Sequence, residues 1–314
     1  MPPRRRSAAM PRRPLRSGFG GAVQRLRWLA EAALFDVAAA TVGRATPRAR
    51  LAIGSALGTA FWAVDSRHRR AAARNIALAY GDQLSSREVR RLTLASMRHF
   101  TRMMVETAAF PRLPFEEAKK HVTVEGIEHL RAAYGRGRGM LGFSGHLGNW
   151  ELMSFMFGRL GMPATGIARP LDNPYLQERL IRLRTLSGNR IINARGAFRE
   201  ALAVLKGGGF VGIWIDQRPK RGGVLVPFFG TDAYTASGLA RLALDSEAAV
   251  VPCFAVQETD GSWRMVIEPE VPLVRTGDFE ADCYRITADC TAILERWIRR
   301  YPEQWLWTHA KLKP

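Results

Sequence analysis

The stretch Gly139-Met140-Leu141-Gly142-Phe143-Ser144-Gly145-His146-Leu147-Gly148-Asn149-Trp150-Glu151 decides the architecture. It begins as an apolar run, breaks at glycine-punctuated residues, and resumes with helical spacing over Asn149–Arg159. A buried strand, a turn and a helix in so few residues are the start of a βαβ unit, whose sheet is covered on both faces. His146 then falls at the carboxyl end of a strand, the edge of an α/β sheet where ligands collect.

The alternation extends in both directions. Apolar runs at Val122–Val124, Ala164–Ala168, Arg190–Asn193 and Phe210–Ile215 are interleaved with helical stretches at Pro174–Ser187 and Ala197–Lys206. That order predicts an α/β fold with a mostly parallel central sheet flanked by helices. Val224–Phe229 is expected to add a strand. Val250–Gln257 and Trp263–Ile267 should form a hairpin across Thr259-Asp260-Gly261-Ser262, and a last helix should run from about Phe279 to Tyr301 before Pro302.

Upstream the pattern is helical throughout. Thr46-Pro47 fits a cap followed by a first-turn proline, and Ser85 with Glu88 three residues on fits a capping box. Three segments are therefore expected: a basic tail at 1–20, rich in Pro and Arg and disordered; a helical region at 21–115; and an α/β domain at 116–314. The longest uncharged run, Leu51–Val64, falls short of the ~20 residues needed to span a bilayer. Ala22–Val42 and Thr46–Val64 suit either amphipathic helices lying on a membrane or a buried helical hairpin. No apolar run with a cleavage site follows the basic start, which argues against a secretory signal.

The formal charge of +19 favours an anionic partner, whether lipid headgroups, nucleic acid or an acidic carrier protein. Eight tryptophans tip this toward a lipid interface, and no nucleic-acid motif is recognisable, so none is expected as a partner. The three cysteines, Cys253, Cys283 and Cys290, lack metal-site spacing and suit a reducing compartment.

His146 and Glu151 are five residues apart, which on a continuous helix is a turn of ~500° and would separate them. They can cooperate only if His146 precedes the helix, in a turn that Gly145 and Gly148 permit. Such a pair suits general-base catalysis, the carboxylate fixing the imidazole tautomer or stabilising its cation. A satisfied turn histidine beside a first-turn acid remains the alternative. The other histidines are scattered, so no metal site is expected.

The segment resembles the H-x-x-x-x-[DE] signature of the glycerolipid acyltransferase superfamily. More narrowly, the chain resembles the lipid A late acyltransferases, the lauroyl/myristoyl acyltransferase family. The resemblance is carried by Ala73-Arg74-Asn75-Ile76-Ala77-Leu78-Ala79-Tyr80, Gly145–Glu151, Arg169-Pro170-Leu171-Asp172-Asn173-Pro174, Asp216-Gln217 followed by Gly223–Gly230, and Tyr301-Pro302-Glu303-Gln304-Trp305-Leu306-Trp307. It covers roughly residues 25–312. It implies His146 as catalytic base with Glu151 as its partner, and Arg169, Arg184 and Asp216 as positions needed for activity, here expected to bind substrate. Arg182 is a near neighbour of Arg184 and leaves that alignment open. The implied donor is an acyl thioester on acyl carrier protein, or on CoA, with no further cofactor. The implied acceptor is a hydroxyl of a lipid A precursor, with a lysophospholipid or phosphatidylinositol mannoside as the alternative. The implied place is the cytoplasmic face of the inner membrane, in contact with anionic lipids.

Two other classes compete. A non-enzymatic basic module that binds membranes would not need His146, and a thioesterase would use the same base on water. Met153, Phe155, Met156 and Phe157 suit either an acyl channel or the core.

Overall fold

The computed structural model describes residues 19–109, 115–220, 222–309 and 312. The expected basic tail lies outside them, but for residues 19 and 20, which already belong to a helix. Four helices come first: α1 (Phe19–Arg44), α2 (Pro47–Val64), α3 (Ser66–Tyr80) and α4 (Ser86–Ala109). Thr46 Oγ1 accepts the Ala49 N–H at the start of α2. Ser85 and Glu88 exchange backbone bonds as a capping box should, the Ser85 N–H reaching Glu88 Oε2 at 2.8 Å.

The α/β part follows as α5 (Phe115–Lys119), β1 (Val122–Glu125), α6 (Ile127–Gly135), β2 (Met140–Ser144), α7 (Trp150–Arg159), β3 (Ala164–Ala168), α8 (Pro174–Thr185), β4 (Arg190–Asn193), α9 (Ala197–Lys206) and β5 (Phe210–Trp214). Then come β6 (Gly223–Phe228), β7 (Thr231–Ala236), α10 (Gly238–Ser246), β8 (Ala249–Gln257), β9 (Trp263–Ile267) and α11 (Phe279–Arg300). Seven strands form one sheet in the order β1-β9-β8-β2-β5-β3-β4, every pairing parallel except the β8–β9 hairpin. Leu141 and Phe143 pack into a core on one face with α9, α10 and α11, and Met140 packs on the other with α6 and α7. Burial on both faces is why these strands read as continuous apolar runs.

One expectation needs revision. Val224–Phe229 does not extend the main sheet; β6 pairs antiparallel with β7 as a separate hairpin. Phe229 and Gly230, both at positive φ, make its turn. β7 is hard to see in the sequence because its inward residues are Ala233 and Thr235, too small to mark an apolar face.

The N-terminal helices pack against the strand–helix part. α2 crosses α4 so closely that a Cβ on Gly54 or Gly58 would stand 2.5 or 2.4 Å from α4 backbone. With its small-residue face used there, α2 leaves Ile53, Leu57 and Val64 exposed, and α1 exposes Val23, Leu26, Leu34 and Val37. Among the described residues no helix is long and apolar enough to cross a membrane.

α4 backs the turn after β2. His99, buried, donates to Gly148 O at 3.4 Å, and burial pulls its pKa down to about 4. Glu106 accepts the Trp263 indole N–H at 2.5 Å, and burial raises its carboxyl to about 7 against that bond and the Arg50 and Arg102 charges. A carboxyl raised in the folded state makes stability fall as pH rises from its unfolded value of about 4.3 through about 7. Tm measured from pH 5 to pH 8 should show this slope, and Glu106→Gln, which keeps an acceptor for Trp263, should flatten it.

Candidate active site

The register of β2 against β5 places the central pair. Ser144 lies opposite Trp214, and two residues further along each strand stand His146 and Asp216. Asp216 is fully buried. Its Oδ1 accepts the His146 ring Nδ1–H at 2.8 Å, and its Oδ2 accepts the His146 backbone N–H at 2.6 Å. The Trp305 indole N–H adds a third bond, to Oδ2 at 2.9 Å. A carboxylate held by that many donors stays ionised in the interior. Burial pushes its pKa up, but His146, His309 and the bonds reverse this, and Asp216 titrates far below an ordinary aspartate.

The orienting carboxylate on His146 is therefore Asp216, where the sequence suggested Glu151. Glu151 sits in the first turn of α7 and is gripped by Arg184 from α8, whose Nε lies 2.9 and 3.1 Å from its two oxygens while Nη2 also bonds Oε1. The fork has the two-point geometry that a guanidinium gives and an ammonium does not. Asp216 is spent on His146 and does not line the cavity, whereas Arg184 holds Glu151 through Nε and Nη2 and also lines the cavity. Arg169 does stand exposed just past the end of β3, at the cavity lining, and forms no ion pair among the described residues.

The turn is built from close backbone contacts. Gly148 has φ +62°, and a Cβ on it would stand 1.8 Å from Ala255 O. Asn149 caps α7, accepting the Leu152 N–H at 2.9 Å. The chain after α11 returns as a strap across this turn: Gly148 N–H donates to Gln304 O at 3.0 Å, and Leu306 N–H to His146 O at 3.0 Å. His309 ends the strap with its ring 4.7 Å from that of His146. Sequence reasoning noticed the Tyr301–Trp307 block but assigned it no role at the site; only tertiary contact gives Trp305 and His309 theirs.

His146 is mostly buried, with Nε2 as its remaining ring nitrogen. Burial disfavours its cation, yet the Asp216 charge and bond, helped by Glu151, raise its pKa above the ordinary imidazole value. The site opens onto a cavity of about 420 Å³ between the sheet and helices α7 and α8. His146, Glu151 and Arg169 line its polar end, and Met153, Phe157, Leu180 and Ile191 its apolar walls. Of the four α7 residues weighed as channel or core, Met153 and Phe157 reach the cavity, while Phe155 and Met156 are packed in the core. Two buried donors at the cavity, Ser144 Oγ and Trp214 Nε1, have no hydrogen-bond partner among the described residues.

An oriented imidazole beside an apolar pocket has the parts of an active site. Comparison with known proteins gives the class a name. Residues 23–314 match the bacterial lipid A biosynthesis acyltransferase family, and the chain belongs to that family. It is 28% identical to the lipid A biosynthesis palmitoleoyltransferase of Escherichia coli (strain K12), over 83% of this chain and 84% of that one. It is 27% identical to the lauroyltransferase of the same organism, over the same shares. A phosphatidylinositol mannoside acyltransferase of Mycolicibacterium smegmatis is 28% identical over 68% of this chain and 70% of its own. The protein is an acyltransferase.

Because the Asp216 charge raises the His146 pKa, the neutral base is lost as pH falls through a value above 6.5. The acid limb of kcat/KM should have its midpoint there. Asp216→Asn should move that limb to lower pH and reduce kcat by roughly 10²–10⁴. A pH–rate profile of both proteins checks this.

Proposed function

We propose that this acyltransferase moves a fatty acyl chain from a thioester on acyl carrier protein to a hydroxyl of a lipid A precursor. The observation that carries the chemistry is the His146 ring fixed through Nδ1 by Asp216, which leaves Nε2 for a proton in transit. As the acceptor oxygen bonds the thioester carbonyl carbon, Nε2 takes the hydroxyl proton. The tetrahedral adduct then collapses, the C–S bond breaks, and the proton passes from Nε2 to the departing thiolate. An ester and a free thiol remain. The unpartnered Ser144 hydroxyl and Trp214 indole N–H face the cavity as donors for the oxyanion. Glu151, locked by Arg184, assists through its charge rather than through contact with Nδ1.

The apolar walls suit an acyl chain, and Arg169 at the cavity lining suits a phosphate, from either the acceptor or the phosphopantetheine arm. The formal charge of +19 suits an acidic donor protein, because a strong opposite field speeds encounter. The same charge, with the exposed apolar residues of α1 and α2, suits peripheral attachment to the anionic cytoplasmic leaflet of the inner membrane. The lipid A relatives favour a lipid A precursor as acceptor. The mannoside relative keeps phosphatidylinositol mannoside as the second reading.

The purified enzyme should be offered acyl carrier protein and CoA thioesters with a lipid A precursor, a lysophospholipid and a phosphatidylinositol mannoside, and the products read by mass spectrometry. One new ester on the lipid A precursor from the carrier-protein donor is expected. Free fatty acid as the main product, or transfer only to another acceptor, overturns the reading. His146→Ala should lose roughly 10²–10⁴ in turnover. Arg169→Lys should raise KM more than a like-for-like charge swap would, since the two-point fork is gone.

A further inference from the structure

Three glycines lie side by side across the middle of the sheet. Gly142 on β2 is in register with Gly212 on β5, and Gly212 with Gly166 on β3. The row is closed at both ends by branched residues: Val251 on β8 beside Gly142, and Ile191 on β4 beside Gly166. All three glycines and Ile191 line the cavity below His146, on the face that carries Met153 and Phe157 of α7.

Glycine in the interior of a strand weakens it, so each needs a reason. Gly142 has one in the fold, since a Cβ there would stand 2.7 Å from the Phe210 ring. Gly212 has none. Its φ is ordinary, and a Cβ would meet nothing closer than a Trp214 ring atom at 3.9 Å. At Gly166 the only near neighbour is the far end of the Ile191 side chain, at 3.1 Å. Packing leaves Gly212 unexplained, and the space above it belongs to the cavity.

We infer that the Gly142–Gly212–Gly166 row is the floor of a trough that gauges donor chain length, with Ile191 as its end wall. This rests on the acyl-transfer reading above and adds to it the class of chain. The thioester carbon lies beside His146 above the end of β2, and the tail runs across β5 and β3 under α7 and α8. His146 stands four residues up the strand from Gly142, ~13 Å, and from Gly142 to Ile191 is three strand spacings, ~14 Å, so the diagonal of about 19 Å fits a straight chain of the hexadecanoyl class. Side chains on the floor shorten the trough, and loss of the wall lengthens it.

The test is a competition among decanoyl, dodecanoyl, tetradecanoyl, hexadecanoyl and octadecanoyl thioesters with one acceptor, comparing the wild type, Gly212→Val and Ile191→Ala. The wild type should prefer hexadecanoyl. Gly212→Val should raise the kcat/KM ratio of decanoyl over tetradecanoyl by about tenfold or more, the usual effect of one methylene too many in a closed pocket. Ile191→Ala should move the preference the other way, toward octadecanoyl. Gly212→Ala, which fits the free space, guards against misfolding of the valine variant and should shift the ratio in the same direction. An equal loss for every chain length, or a profile unmoved in all variants, overturns the gauge while leaving acyl transfer standing. Absence of transfer from any thioester by the wild type overturns the parent reading instead.

Discussion

The site depends on one buried anion. Asp216 is closed off from water and would be strongly unfavourable there as an isolated charge. It is tolerated because three donors from two distant parts of the chain converge on it: the His146 ring and backbone, and the Trp305 indole. Those bonds do more than satisfy the carboxylate. They select the His146 tautomer that carries its proton on Nδ1, and they tie the β2 edge, the β5 edge and the terminal strap to one point. The glycine turn, the α7 cap at Asn149 and the α4 contacts at His99 then hold the loop in the only path that lets His146 reach it.

Much of this was legible in the chain. Continuous apolar runs spaced by helices give a parallel sheet, and Ser85 with Glu88 gives the start of α4 within one residue. The hairpin β8–β9 follows from two runs around Asp260-Gly261. β7 was not anticipated because its inward residues are small, and α10 because nine residues leave its apolar spacing too short to stand out. At the site, the residues could be named but not paired. Asp216 and Glu151 are both carboxylates at the correct edge of the sheet. Choosing between them requires knowing that β5 lies beside β2 and that their register continues past both strands. No local pattern contains that fact. Arg184 likewise reads as one of several helix arginines until α8 is seen to lay it over α7.

The second ion pair shows how charges are shared at the polar end. Arg184 and Glu151 are both largely buried and grip each other in a fork, so neither is an exposed surface charge. Arg169, left outside the pair, keeps its charge for the solvent side. The cavity therefore grades from an exposed cation, through a neutralised pair and an imidazole, to hydrocarbon and glycine. An acyl thioester with an anionic arm has the same order of parts.

Asn75 of α3 ties the ends of the chain together. Its amide nitrogen donates to Trp307 O at 2.7 Å and to His309 O at 2.5 Å. The strap that seats the His146 ring is thus pinned from behind by a residue that sequence reading places in a separate helical region. Cutting the chain at the junction near residue 115 would not liberate a self-sufficient catalytic half; it would pull the pin, leaving the last residues unmoored and the imidazole without its backing. Whatever the amino-terminal helices do at a bilayer, they are also part of the clamp that backs the His146 ring.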